Sequence, residues 1–224
     1  MAGEGRRQFV WDWPTRIFHW LLVLLIAFAW YTAEVDRNMD WHLRAGMATV
    51  LLLVFRILWG LIGTSTARFS QFVKGPRAVW SYIRPGSDAP VAVGHNPIGG
   101  WSVIVMLLLT VIVIVAGLFA VDIDGIDSGP LSYLVSFDQG RSASEIHELA
   151  FNILVAVIAI HILAIIFYLV VKRRNLVGPM VTGFQRISDG SPAPSAIRVG
   201  WWRLILALAV ALLVAYGVWD GFRF

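Results

Sequence analysis

Two histidines lie on one long apolar segment of this chain. His147 and His161 are fourteen residues apart within Ser144–Arg174. In an α-helix this separation corresponds to about 21 Å of rise and about 40° of rotation, so both imidazoles face nearly the same side. A polar ring deep in a membrane is costly and normally has a partner. Because imidazole is a common metal ligand, the spacing indicates two metal sites if the chain supplies two more histidines at matching depths.

The composition is that of a polytopic membrane protein. Of the 224 residues, 58% are hydrophobic and 14% are charged, with a mean hydropathy of +0.73. Soluble proteins are nearer half apolar and a quarter charged. Without cysteine, the chain cannot supply thiolates to an iron–sulfur cluster, form disulfides or attach haem covalently through C-x-x-C-H. The N-terminal segment lacks the small-residue site of a cleavable signal peptide, so we expect the first apolar run to remain as a helix.

Five apolar segments are long enough to cross a bilayer. The expected architecture is an all-α membrane protein with a four-helix transmembrane bundle and a fifth C-terminal transmembrane helix. The bundle domain would occupy residues 1–184. A linker over 185–200 and the fifth helix with a periplasmic tail over 201–224 would follow it. The predicted bundle helices cover about 15–33, 41–63, 98–121 and 143–171.

Two connections have distinctive compositions. From Arg68 to Arg84, basic residues are interspersed with apolar ones at near-helical spacing. This pattern favours one or two short helices at the membrane surface, interrupted at Gly75-Pro76, and the alternative is a solvated loop. The segment Gly178–Gly200 is rich in Gly, Ser and Pro, which predicts a flexible linker to the last helix.

The basic residues are distributed unevenly between the two ends of the predicted helices. Thirteen Lys and Arg residues lie in the N-terminal segment and in the connections after the second and fourth helices, whereas four lie on the opposite side. The positive-inside rule therefore predicts that the N-terminus lies in the cytoplasm and the C-terminus on the outer side of the membrane. The predicted outer side is acidic, with Glu34, Asp36, Asp40, Asp122, Asp124, Asp127, Asp138, Glu145 and Glu148.

The antiparallel order of the helices sorts four histidines by depth. His42 lies near the outer start of the second helix and can meet His147, while His19 lies in the inner half of the first helix and can meet His161. Zinc usually takes four protein ligands, whereas haem iron takes two axial ones. We therefore predict two bis-histidine haems about 20 Å apart, which together form an electron path across the membrane. Each histidine alone could instead be an ordinary interfacial residue, but the joint arrangement favours haem.

Two further polar residues lie near the predicted inner haem. Arg56 is fourteen residues beyond His42, about 21 Å deeper in the second helix. Its guanidinium could bind a haem propionate, or its side chain could extend to the inner interface. His95 lies beside Asn96-Pro97, and we expect it to cap or position the third helix rather than bind iron.

Six short motifs resemble, in order, those of the bacterial cytochrome b561 and nickel-hydrogenase b-type cytochrome family, which includes formate dehydrogenase membrane subunits. Single motifs are weakly specific, but the ordered set is specific, and it spans about residues 9–184. The motifs are WDWPTRIFHW (Trp11–Trp20), WHLRAG (Trp41–Gly46), FRILWGLIGTSTARF (Phe55–Phe69), GHNPIGGWS (Gly94–Ser102), E-x-H-E (Glu145–Glu148) and LVGPMVTG (Leu176–Gly183).

The resemblance implies a four-helix bundle with two haems b, whose axial histidines lie on helices one, two and four. The four matching positions are His19, His42, His147 and His161. It also implies electron exchange between the quinone pool (ubiquinone or menaquinone) and an outer-side partner. Such a partner could be a cytochrome c, a hydrogenase or dehydrogenase subunit or, in a branch resembling superoxide oxidase, superoxide itself. The fifth helix is not covered by the resemblance.

The leading hypothesis is thus a membrane dihaem cytochrome b that transfers electrons between quinone and a periplasmic redox partner. A quinone site near the inner haem, with contributions from His95 and Arg56, follows only from the resemblance. One alternative is an enzyme of the same architecture that oxidises superoxide and reduces quinone. Another is a non-redox membrane anchor or assembly protein with structural histidines. Membrane lipid is an expected partner in every case, and nucleic acid is not.

Overall fold

The computed structural model describes residues 6–84, 94–124, 126–187 and 197–221. These residues form mostly helices, and five helices are long and apolar enough to cross a membrane. Two four-residue strands flank the first four spans in sequence. The elements in chain order are β1 (Arg6–Phe9), α1 (Trp13–Glu34), α2 (Met39–Ile62), α3 (Phe69–Phe72), α4 (Pro76–Ile83), α5 (Pro97–Phe119), a 3₁₀ helix (Ser132–Leu134), α6 (Phe137–Val170), α7 (Val177–Thr182), β2 (Phe184–Ile187) and α8 (Trp201–Trp219).

The predicted spans agree with α1, α2, α5 and α8 to within two residues at each end, but α6 begins six residues before the predicted position. Ser136 and Gln139 explain the early start. The backbone N–H of Gln139 donates to Ser136 Oγ (3.3 Å), and the backbone N–H of Ser136 donates to Gln139 Oε1 (2.9 Å). This reciprocal capping box starts the helix in polar sequence, ahead of the apolar run. At 34 residues α6 is about 51 Å long, well beyond a bilayer core of about 30 Å.

Three other spans begin at a side-chain cap from Asp or Asn, which accepts an otherwise unsatisfied backbone N–H. His95 had been expected to cap or position α5, but Asn96 makes the cap. The bonds are Thr15 N to Asp12 Oδ1 (2.8 Å), Trp41 N to Asn38 Oδ1 (3.3 Å) and Gly99 N to Asn96 Oδ1 (2.6 Å).

The connection after α2 contains two short helices, as its amphipathic pattern predicted. α3 and α4 are separated at Val73–Gly75, and Pro76 occupies the first turn of α4. Proline is favoured there because a first-turn N–H has no helical partner to lose. Trp101 Nε1 on α5 donates to the Lys74 carbonyl (2.9 Å), which fixes the break between the two helices.

The prediction of a flexible linker over Gly178–Gly200 is wrong for residues 178–187, because α7 covers Val177–Thr182 and β2 covers Phe184–Ile187. β2 pairs with β1 in an antiparallel ladder that places Phe9 opposite Phe184. The turn into β2 is made at Gly183, whose φ of +85° favours glycine. Its carbonyl accepts from Val10 N at 2.8 Å. Sequence composition could not reveal this because the ladder joins segments about 180 residues apart. The rest of the predicted linker falls largely on residues 188–196, outside the described part.

The chain divides into two compact units, each made of three stretches. In the first unit, Trp59 and Asp12 are fully buried. In the second unit, Val113, Ala150 and Leu154 form a buried apolar cluster. The first unit comprises Met1–Ile17, Ile57–Val105 and Ile160–Ile205, and the second comprises Phe18–Arg56, Met106–Ala159 and Leu206–Phe224.

Candidate functional site

His42 on α2 and His147 on α6 lie together within the second unit. Their ring centroids are 6.0 Å apart, with an angle of 80° between the ring planes. His42 Nδ1 lies 2.9 Å from the Ala29 carbonyl on α1, and His147 Nδ1 lies 2.8 Å from the Val113 carbonyl on α5. A carbonyl can only accept, so each Nδ1 carries the proton. The Nε2 lone pair of each neutral ring is therefore the one available to a metal.

The distance between the rings suits two ligands on opposite sides of one metal ion. With metal–nitrogen bonds of about 2 Å, two such imidazoles have centroids about 6 Å apart. Within the described ranges, no group of three or more His, Cys, Asp or Glu side chains could hold a metal. The donor set at this point is thus two imidazoles, the pair of protein ligands that a bis-histidine haem would take.

A small cavity adjoins His147 and is mostly apolar. A Cβ built at Gly46 would meet nothing within 4 Å, whereas one built at Gly117 would lie 2.8 Å from His147 Nδ1. Gly46 therefore leaves open space beside α2, with room for an apolar group against the helix backbone. Gly117 instead allows the His147 imidazole itself to approach the backbone of α5 closely. The lining residues are Leu43, Gly46, Met47, Ile114, Gly117, Leu118, Pro130 and His147.

The other two predicted ligands, His19 and His161, fall in different units. His19 belongs to the second unit and is partly buried on α1, with its ring edge-to-face with Trp20 at 5.0 Å. His161 belongs to the first unit and is partly buried on α6. Their pairing stays a prediction from depth and order along the chain.

Arg56 is buried, with 3% of its surface exposed. Its guanidinium carbon lies 5.8 Å from the centroid of the Phe18 ring in the same unit. A side chain extended to the membrane surface would be exposed, so burial argues against that alternative. A buried charge inside a span is costly and marks a candidate functional position. The haem propionate stays its predicted partner.

His95 packs between two aromatic rings of the first unit. Its ring centroid is 4.6 Å from that of Trp11 and 4.5 Å from that of Phe72. A polar cluster that the sequence analysis missed follows directly in the chain. Asn96 Nδ2 donates to Tyr168 Oη (3.0 Å), and Tyr168 Oη lies 2.9 Å from Tyr82 Oη. Tyrosines at the expected membrane surface were the available signal, because such tyrosines commonly hydrogen-bond there.

Asp12 was also missed, although it is fully buried. Besides capping α1, it accepts hydrogen bonds from Trp59 Nε1 (3.1 Å) and from Thr64 Oγ1. It thereby ties the start of α1 to the end of α2 and the turn that follows. The signal was Asp12 two residues before Pro14, since proline in the first turn of a helix predicts a capping residue just before it.

Five helices long and apolar enough to cross a membrane, with two histidine rings facing each other, indicate a multi-pass membrane protein with a candidate bis-histidine site. The sequence model of the family described as prokaryotic cytochrome b561 matches residues 10–183, and the chain belongs to that family. The resemblance inferred from the sequence is thus confirmed. The protein is a transmembrane b-type cytochrome of electron transport, and haem b is the group implied by its family.

The chain is also similar to curated cytochrome subunits. A probable Ni/Fe-hydrogenase B-type cytochrome subunit of Azotobacter chroococcum is 21% identical over 231 residues, covering 85% of this chain and 96% of that protein. A probable Ni/Fe-hydrogenase 1 B-type cytochrome subunit of Escherichia coli K12 is 27% identical over 176 residues, covering 63% and 73%. No solved structure matches the chain.

Proposed function

We propose that this protein relays electrons across the bacterial inner membrane through two haems b, between the quinone pool and a periplasmic redox partner. The observation that carries the proposal is the His42–His147 pair, with centroids 6.0 Å apart and both Nδ1 atoms directed at backbone carbonyls. Haem b, when bound, supplies reversible one-electron chemistry. The proposed two-haem domain covers residues 1–184, with a linker over 185–200 and the fifth helix and periplasmic tail over 201–224.

The chain's own part in the relay is to orient the imidazoles and to give a bound haem an apolar environment. The Ala29 and Val113 carbonyls hold the imidazoles in one tautomer and make Nε2 more basic. The mostly apolar side chains that line the cavity beside His147 would surround the haem there, and such an environment is one of the factors that set a reduction potential. His19 and His161 are the proposed ligands of the inner haem, and Arg56 the proposed partner of a propionate.

The proposed orientation rests on charge. Thirteen Lys and Arg residues belong to the proposed cytoplasmic side and four to the periplasmic side, where acidic residues accumulate. Glu145 and Glu148 are exposed on α6 close to His147. The names of two relatives, both hydrogenase cytochrome subunits, support a hydrogenase-type or dehydrogenase-type partner, and a cytochrome c is the other candidate. A quinone (ubiquinone or menaquinone) near the inner haem completes the proposed path.

The test is spectroscopic and compares single histidine variants. In the purified holoprotein, we expect two bis-histidine components in reduced-minus-oxidised spectra and in redox titrations. His42→Ala and His147→Ala should remove the same component and leave the other. His19→Ala and His161→Ala should remove the second. His95→Ala is the control and should retain both.

Two results would contradict the proposal. Loss of one component by both His42→Ala and His19→Ala would refute the pairing. Two haems that quinol does not reduce would refute the relay to the quinone pool. Stopped-flow mixing with superoxide separates a passive relay from a superoxide:quinone oxidoreductase, because only the latter consumes superoxide catalytically.

A further inference from the structure

The described residues of the first unit are strongly basic. They contain thirteen Lys and Arg side chains but one carboxylate, that of Asp12. Asp12 is fully buried and accepts from Thr15 N, Trp59 Nε1 and Thr64 Oγ1. It therefore offers no counter-charge at the surface. The thirteen are Arg6, Arg7, Arg16, Arg68, Lys74, Arg77, Arg84, Lys172, Arg173, Arg174, Arg186, Arg198 and Arg203.

Within this unit, α4 and its C-cap present a mixed basic and apolar face. Arg77, Trp80, Ile83 and Arg84 fall within about 120° of one another on a helical projection. All four are exposed, Trp80 by 61% and Ile83 by 56%. The Arg84 guanidinium carbon lies 5.6 Å from the centroid of the Trp80 ring. These four residues are called the α4 face below.

Contacts on other sides of α4 hold this face in place. Tyr82, about 160° from Trp80 around the helix, has its Oη 2.9 Å from that of Tyr168 on α6. Just before α4, the Lys74 carbonyl accepts from Trp101 Nε1 on α5 at 2.9 Å. The α4 face is therefore preorganised and directed away from the contacts that anchor the helix.

We propose that the α4 face binds the phosphate groups of anionic phospholipids in the adjacent leaflet. α4 lies in the connection between the spans α2 and α5, so it lies at a membrane surface. Guanidinium groups bind phosphate oxygens in a bidentate manner, and tryptophan favours the headgroup level. Ile83 and the Trp80 ring suit the boundary with the acyl chains. A soluble polyanion would satisfy the arginines but not these two apolar side chains.

The experiment is native mass spectrometry of the detergent-purified full-length holoprotein, titrated with phosphatidylglycerol or phosphatidylcholine. The wild type should bind phosphatidylglycerol more tightly. Arg77→Gln/Arg84→Gln should weaken phosphatidylglycerol binding by about 25-fold at low salt, from about fivefold for each basic residue near an anionic surface. Phosphatidylcholine binding should weaken much less, because the choline ammonium beside its phosphate cancels the net negative charge.

The matched control is Arg37→Gln/Arg44→Gln. Arg44 lies 4.8 Å above the ring of Trp41, so it forms the same kind of pair as Arg84 with Trp80, but among the acidic residues of the opposite side. The control should leave the affinity for phosphatidylglycerol unchanged. Arg77→Lys/Arg84→Lys keeps the charge but loses the bidentate geometry, so its affinity for phosphatidylglycerol should lie between those of the wild type and the Gln variant, and its haem spectrum checks the fold. Three results would overturn the proposal. They are an equal loss of phosphatidylglycerol affinity in the test and control variants, an equal loss of affinity for both lipids, and wild-type binding that does not weaken in about 0.5 M salt.

Discussion

Gly117 on α5 allows a test of the His147 geometry that does not touch the imidazole itself. A Cβ at this position would lie 2.8 Å from His147 Nδ1 and 2.9 Å from Cε1, whereas ordinary van der Waals contact begins at 3.4 Å. Gly117→Ala must therefore push the ring away and weaken the 2.8 Å contact of Nδ1 with the Val113 carbonyl. Losing that hydrogen bond costs about 0.5–1.5 kcal/mol, and disturbing such a support of a metal ligand typically lowers affinity about 10–100-fold.

The same substitution has an opposite effect on the helix. Alanine inside a helix is favoured over glycine by about 0.5–1 kcal/mol. We therefore expect Gly117→Ala to bind the haem at His42 and His147 about 10–100-fold more weakly, while the free energy of unfolding of the haem-free protein changes by no more than about 1 kcal/mol. Haem titration followed by absorbance measures the first quantity, and thermal unfolding of the haem-free protein in detergent measures the second.

Gly75→Ala is the control, because a Cβ at Gly75 meets nothing within 4 Å. It should bind both haems as the wild type does. If Gly117→Ala retained wild-type haem affinity and potentials, the reasoning that the Val113 carbonyl and Gly117 position a metal ligand would be wrong. If it lost both haems and unfolded early, the effect would be general destabilisation.

Two further predictions concern stability. Asp12→Asn keeps a capping oxygen for α1 but sets an amide N–H against Trp59 Nε1–H, so the free energy of unfolding should fall by about 1–3 kcal/mol. Adding Trp59→Phe in a double-mutant cycle should recover part of that loss. Strictly additive losses would show that the side chains of Asp12 and Trp59 do not interact. Asn96→Ala removes the cap of α5 and a donor to Tyr168, so the free energy of unfolding measured by thermal denaturation should fall by about 1–2 kcal/mol, whereas Asn96→Asp keeps the capping oxygen and should lose less.

Features that depend on apolar length or on order along the chain could be predicted from the sequence. The five spans follow from runs of about twenty apolar residues, and α2 ends within one residue of its predicted bound. The expectation that His42 meets His147 needed only antiparallel neighbours and matching depth, and the structure has the rings 6.0 Å apart. Iron ligation by the four histidines stays a prediction.

Features set by hydrogen bonds between polar residues were not predicted. The Ser136–Gln139 box, which starts α6 early, and the buried Asp12 carry no periodic signal, since each depends on one or two residues finding partners. β1 and β2 are four residues each, too short for alternation to stand out from chance. Their pairing also depends on tertiary contact between distant segments.

The pairing of β1 with β2 has a consequence for how the protein is made. β1 is synthesised first, but its partner Phe184–Ile187 follows the fourth span. At about 5–20 residues per second, β1 waits about 10–35 s before the ladder can form. α8 begins at Trp201 and emerges only after that point. β1 and β2 can therefore pair before the fifth helix enters the membrane. Formation of the ladder would then separate the insertion of the first four spans from the insertion of the last.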